Sequence, residues 1–242
     1  MEFEVIARIR TPFREKFGLP RQSGISPKLK GEIRFEKKYA ENSAVAGLEG
    51  FDRIWVLWEF EGVKKPGDGA FRPKVRPPRL GGNEYVGVFA TRSPYRPNPI
   101  GLSCLKLESV ELTDEGPVLH VSGVDMRDGT PIYDIKPYLP YSEAYPDARG
   151  GFTDEVKGYG LEVYLSDEIR EKALAEGLSD DDLGAVCEIL SQDPRPAYHD
   201  DPGRIYGMNY EGYEIKFRVE NGKAIVSDVF FEGEKEWQEK RQ

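Results

Sequence analysis

Apolar and polar residues alternate over Phe3–Ile9, Gly31–Phe35, Arg53–Phe60, Tyr85–Thr91, Ser103–Leu112 and Val118–Val124. Period two sends successive side chains to opposite faces of an extended chain, and β-branched and aromatic residues fill many of the apolar slots, so each segment is read as a strand. A helical pattern interrupts them only around Lys38–Ala46. Strands of this kind with long Gly- and Pro-rich connections predict a mainly β fold whose antiparallel sheet closes, or nearly closes, into a barrel. The pattern changes at Asp147–Gly151. Beyond it come a strand (Leu161–Leu165), two helices (Asp167–Glu176 and Asp180–Leu190) and three strands (Tyr206–Tyr210, Tyr213–Val219, Ala224–Phe231). Asn221-Gly222 between the last two supplies the positive φ angles of a tight hairpin turn. The expected layout is a barrel over 1–146, a small α+β domain over 152–231 and a charged tail over 232–242.

Two connections, Thr11–Pro27 and Gly62–Gly82, are long and without regular pattern, which in a compact domain marks functional loops. Composition narrows the field. Of the 242 residues 38% are hydrophobic, and the mean hydropathy is −0.58. No apolar run approaches the roughly 18 residues of a membrane span. The start, MEFEVIARIR, reads as a strand rather than a signal peptide, so a cytoplasmic protein with no membrane partner is expected. Cys104 and Cys187 lack a CxxC neighbour and read as small buried hydrophobes. With His120 and His199 as the only histidines, no metal site is expected. Neither a GxGxxG turn nor a P-loop is present, so any nucleotide-like ligand must be held by loops.

The net charge of −9 is unevenly spread. Residues 150–242 hold 22 acids and 11 bases, whereas residues 1–149 hold 21 acids and 23 bases. Two stretches concentrate the bases: 8–38, with ten against Glu15, Glu32 and Glu36, and 63–97, with eight against Asp68 and Glu84. Such stretches are either a phosphate-reading face or ordinary solvated loops.

Three segments carry candidate chemistry. In FGLPRQSG (Phe17–Gly24), Gly and Pro fix a loop on which Arg21 and Gln22 offer donors. In Val75–Ser103, Arg92, Arg96 and Asn98 stand among Pro94, Pro97 and Pro99, which stiffen the chain and remove amide donors. In Gly123–Tyr141, Asp125 and Asp128 end a strand, Asp128-Gly129-Thr130-Pro131 forms a turn, and Asp134, Lys136 and Tyr138 follow in an extended, Pro-broken run. Acids so placed can hold ribose hydroxyls, bind a cation or take a proton.

These segments resemble the TsaA-like family of tRNA adenine-N6 methyltransferases. The likeness runs through ISPKLKGEIRFEKKY, GLEGFDRIWVLWEFEG, VRPPRLGGNEYVGVFATRSPYRPNPIGLS and VDMRDGTPIYDIKPYLPYSEA, and DPRPAY (Asp193–Tyr198) is similar to a motif of the bacterial members' C-terminal domain. The resemblance implies a single-sheeted β-barrel that binds S-adenosylmethionine, acts as a homodimer and methylates N6 of threonylcarbamoyladenosine at position 37, in the anticodon loop of tRNA. By the family pattern, cofactor contacts fall at Pro20, Arg21, Gln22, Phe60, Glu61, Arg92, Leu102 and the Asp128, Gly129, Thr130, Pro131 turn. Relatives often carry histidine where this chain has Glu61, so only a backbone contact there would carry over. Contacts to the tRNA are expected from Arg72, Lys74, Arg76, Arg96, Asn98, Lys136, Arg195 and Tyr198. Because the cofactor segments all precede residue 145, the barrel is expected to hold the cofactor by itself. Asp125, Asp128 and Asp134 are the candidates for a general base. A non-catalytic RNA-binding module and a small-molecule methyltransferase on the same barrel are the competing readings.

Overall fold

The computed structural model describes residues 2–62, 72–77, 80, 84–154, 160–196, 201 and 203–233. Six strands close into a barrel: β1 (Ala7–Arg10), β2 (Lys30–Phe35), β3 (Arg53–Glu59), β6 (Ile100–Thr113), β7 (Gly116–Ser122) and β8 (Pro131–Pro137). Their order around the barrel is β1-β2-β7-β6-β3-β8, with β8 returning to β1 through Ala7↔Ile132 and Arg8↔Pro131, and every pair is antiparallel. Alternation decides the faces. On β3, Ile54, Val56 and Trp58 are buried while Arg53, Trp55 and Leu57 point outward; on β6, Gly101, Ser103, Leu105 and Leu107 point in. Two short strands, β4 (Lys74–Val75) and β5 (Val86–Gly87), pair on the connection between β3 and β6.

The structure departs from the expected elements at two places. Tyr85–Thr91 is not one strand: after Val86–Gly87 the chain coils into a 3-10 turn, Val88–Ala90. Side chains take the carbonyls a ladder would have used, since Thr91 Oγ1 and Arg96 Nη1 both donate to Val88 O. Lys38–Ala46 is two 3-10 turns, Lys37–Tyr39 and Asn42–Val45, with only Val45 buried to anchor them. The run after Asp128 is extended, as its pattern predicts: it forms strand β8, with Pro131 and Pro137 at its two ends, where a missing amide costs least.

The C-terminal part contains β9 (Glu162–Tyr164), α1 (Asp167–Glu176), α2 (Asp180–Ser191), β10 (Tyr206–Tyr210), β11 (Tyr213–Glu220) and β12 (Lys223–Phe231). Its sheet runs β10-β11-β12-β9, with β9 parallel to β12. Both helices start on a serine cap, Ser166 and Ser179, as acidic first turns favour. Asn221 and Gly222 have φ of 50° and 75°, the hairpin turn read from the sequence.

One apolar core runs through both parts. The Thr11–Pro27 connection joins them: Phe13 meets Tyr210 edge-on at 5.8 Å, Phe17 stacks on Phe217 at 6.4 Å, and Glu211 N donates to Pro12 O at 2.9 Å. Gly18, at φ +86°, lies so close that a Cβ there would come within 2.4 Å of Met208 Sδ. The segment expected to serve the barrel alone is thus wedged against the C-terminal sheet.

Candidate functional site

The barrel interior is apolar except at one end. There Trp58 Nε1 donates to Ser103 Oγ at 2.8 Å, and Ser103 Oγ donates to Asp125 Oδ1 at 2.6 Å. Gly101 makes room for this, since a Cβ on it would overlap the Trp58 indole at 2.2 Å. Phe60 leans on the same indole, with ring centroids 4.2 Å apart. β6 pairs with β7 only from Lys106 onward. Before that, the FGLPRQSG loop fills the gap: Cys104 N donates to Ser23 Oγ at 3.1 Å, and Gly24 N donates to Gly123 O at 2.8 Å. The loop so placed brings Gln22 to Arg92, whose Nη1 donates to Gln22 Oε1 at 2.6 Å.

Asp125 is the group these contacts surround. Burial pushes its carboxyl up to about 6, against the opposing pull of the Ser103 hydroxyl, the amides of Asp125 itself and Ser23, and the Arg92 charge. A carboxyl titrating there is ionised at neutral pH yet basic enough to accept a proton from a substrate.

The other two candidate acids are engaged elsewhere. Asp128 is exposed, and its Oδ1 accepts from Thr11 N at 3.1 Å while its own amide donates to Phe13 O at 2.7 Å. The turn it opens is tied to β1, with Gly129 N donating to Ile9 O, Arg8 Nη1 to Gly129 O, and Ile9 N to Thr130 O. Thr130 and Pro131 are buried. Asp134 lies opposite Leu57 on the outer wall, paired with Lys136 at 2.8 Å, so the structure does not bring Asp134 or Lys136 to the Asp125 cluster. Leu102, 49% exposed, also faces outward across from Leu57, opposite in direction to Ser103. Glu61 is exposed and accepts from Arg127 Nη2 at 3.2 Å. Pro20 and Arg21 border a shallow, solvent-open recess whose other wall is Ile189, Gln192, Asp193 and Pro194. Ser26 Oγ, buried on that recess, has no hydrogen-bond partner among the described residues.

The two basic stretches separate clearly. In 8–38, Arg8 pairs with Glu36, Lys30 with Asp181, Arg34 with Glu32 and Lys38 with Glu4, so much of that charge is neutralised. Arg72, Lys74, Arg76, Arg92 and Arg96 form no ion pair among the described residues, although Arg96 holds the 88–91 turn through its carbonyls. Asn98 is exposed, with its carbonyl accepting from Ile100 N. Arg195, expected to contact the tRNA, makes two side-chain bonds to Asp193, at 2.8 and 2.9 Å, and its side chain is 13% exposed. Tyr198 lies outside the described residues, as do Lys64, Lys65 and His199.

Ser103 and Trp58 did not figure among the expected site residues. A polar residue in an inward slot of β6, between Gly101 and Leu105, was the available signal. Among the described residues no group of His, Cys, Asp or Glu side chains could hold a metal ion, and no helix is long and apolar enough to cross a membrane.

Residues 8–144 match the tRNA-methyltransferase O N-terminal domain and residues 159–231 the C-terminal domain of the same family. The chain is 39% identical over 221 residues to the tRNA (adenine(37)-N6)-methyltransferase of Escherichia coli K12, covering 90% of this chain and 93% of that one. It is 42% identical over 230 residues to a putative S-adenosylmethionine-dependent methyltransferase, RcsF, of Pseudomonas aeruginosa, covering 93% and 95%. The crystal structure of TrmO from Pseudomonas aeruginosa superimposes with a TM-score of 0.77 at 32% identity, over 95% of this chain and 97% of that one.

Proposed function

The chain belongs to the tRNA-methyltransferase O family, and on that premise we propose that it methylates N6 of the adenine at position 37 of tRNA, in the anticodon loop, with S-adenosylmethionine as donor. The observation that carries the reading is the Asp125 cluster: a carboxyl held at about 6 by burial, oriented by a buried hydroxyl and bordered by a guanidinium. The donor set suits the cofactor. Arg92 and Gln22 match a carboxylate, Phe60 offers an aromatic face, and Asp125 or the Asp128–Pro131 turn can receive ribose hydroxyls.

S-adenosylmethionine, when bound, supplies a sulfonium methyl group open to in-line attack. The chain's own residues must place the acceptor nitrogen and remove its proton. We take the acceptor to be threonylcarbamoyladenosine, in which N6 is attached to a carbonyl and its lone pair is delocalised. It becomes a good nucleophile only as its proton leaves, and in this reading Asp125 takes that proton as general base. Ser103 orients the carboxylate, because its hydroxyl donates to Oδ1. Arg92 can pair with a carboxylate from either cofactor or substrate.

The cofactor's contacts are drawn mainly from the barrel, residues 1–146, with the wedged FGLPRQSG loop completed by the C-terminal part, 152–231. The protein works in the cytoplasm as a homodimer. The exposed Leu102 beside Leu57 on the barrel wall supports a pairing surface there, which light scattering tests. The activity itself is tested by mass spectrometry of nucleosides from tRNA incubated with protein and S-adenosylmethionine. A methyl group on the threonylcarbamoylated adenine is expected, and none on tRNA lacking that modification. Absence of transfer to any tRNA would overturn the reading.

A further inference from the structure

Three aromatic side chains project from the Pro-rich lobe that links β3 to β6. Tyr85 is 57% exposed, Phe89 70% and Tyr95 60%. A single exposed ring is ordinary, but three within eleven residues are not. The lobe holds them outward rather than leaving them loose. Phe89 sits on the 3-10 turn Val88–Ala90, anchored inward by buried Val88. Arg96 Nη1 ties that turn from below through Thr91 O at 2.6 Å and Val88 O at 3.2 Å, with its guanidinium 5.6 Å from the Phe89 ring. Tyr95 follows Pro94, and its amide donates to Ser93 Oγ at 3.3 Å. Arg76 lies over the Tyr85 ring at 4.4 Å. A ring already fixed in place loses little conformational freedom when another flat group stacks on it.

The charge around the rings indicates what that group is. Among the described residues of this lobe the bases form no ion pair, and Glu84 is the sole acid between residues 72 and 98. Exposed aromatic faces interleaved with unneutralised guanidinium and ammonium groups suit single-stranded nucleic acid, in which bases offer π-faces and phosphates offer charge. A duplex offers phosphates but keeps its base faces stacked. We propose that Tyr85, Phe89 and Tyr95 form a stacking platform for unpaired bases of the anticodon loop beside the methylated adenine, with Arg76 and Lys74 on the phosphates. The proposal rests on the tRNA reading above and adds to it the surface that separates a loop from a helix.

The test measures binding of the full-length protein to an RNA stem–loop and to the same stem closed as a blunt duplex, across a salt series. Tyr85→Ala, Phe89→Ala and Tyr95→Ala should each weaken stem–loop binding by about 5- to 100-fold, as loss of one base–aromatic stack does. Duplex affinity and the salt slope should stay as in the wild type, because no counterion contact is removed. Tyr164→Ala, an equally exposed ring on β9, should change neither. Unchanged thermal midpoints and S-adenosylmethionine affinity in the three variants show that the fold and cofactor site are intact. Variants that bind the stem–loop normally, that lose loop and duplex affinity alike, or that change only the oligomeric state in light scattering overturn the platform. If wild-type protein methylates tRNA in such a case, the enzymatic reading survives without it. If wild-type protein binds the loop through these rings yet transfers no methyl group, the enzymatic reading fails and the platform stands.

Discussion

Asp125→Asn should make the protein more stable and nearly inactive at the same time. Asparagine keeps the shape of the carboxylate and an oxygen for the Ser103 hydroxyl, but removes the charge. In the native protein that charge is disfavoured, since the carboxyl titrates at about 6 rather than 3.8. The difference corresponds to at most about 3 kcal/mol of destabilisation once Asp125 is ionised. The folded state holds the proton more tightly than the unfolded state, so stability from this group is fullest below about pH 4 and declines as pH rises through 6. The advantage of Asp125→Asn should therefore vanish near pH 4, grow between 4 and 6, and level off above. For a chain of 242 residues it amounts to a rise of up to about 5–10 °C in thermal midpoint at pH 8. Turnover should fall by about 10²- to 10⁴-fold, the usual worth of a general base. Urea or thermal unfolding of both proteins at pH 4 and 8, with transfer of labelled methyl to tRNA, measures all of this. A stability difference that is independent of pH, or a variant with near-normal turnover, would refute the assignment of Asp125.

Ser103→Ala removes the hydroxyl that stabilises the anion, so the acid limb of the kcat/KM profile should move above 6 by about 1–2 pH units; an unmoved limb in an active variant counts against the hydrogen-bonded relay. Arg92→Ala should weaken S-adenosylmethionine binding by about 10- to 100-fold in calorimetry, whereas Arg72→Ala, on the exposed lobe, should stay within about twofold; equal losses would deny Arg92 its place in the site. Gly18→Ala should cost about 2–4 kcal/mol in urea unfolding, because a Cβ would collide with Met208 at a positive φ; a neutral result would mean the wedge between barrel and C-terminal sheet is loose.

Much of the architecture was legible because it rests on short-range rules. The helix at Asp167–Glu176 needs only its Ser166 cap, its periodicity and Gly177 at φ +111° to begin and end where it does. The final hairpin needs only Asn221-Gly222. Alternation on β3 and β6 already sorted inward from outward residues. The Tyr85–Thr91 turn escaped this logic, because its fate depends on Arg96 competing for its carbonyls. The exposed rings it carries were hidden inside an apparent strand.

The sequence by itself determined the mainly β pattern, the family motifs, the surplus of bases before residue 150 and the set of candidate acids. Tertiary structure alone gave those acids their different surroundings. Period two tells a side chain which face to occupy, not what lies across the barrel from it. Closure brought Ser103 to Asp125 over 22 positions and Gln22 to Arg92 over 70, while placing Asp134 on the opposite side of the wall beside Lys136. The same holds for charge: counting could not show that Lys30 is neutralised by Asp181 of the C-terminal helix while Lys74 and Arg76 meet no carboxylate among the described residues. Burial and pairing set the pKa of a carboxyl and the availability of a cation, and both depend on contacts between residues far apart in the chain.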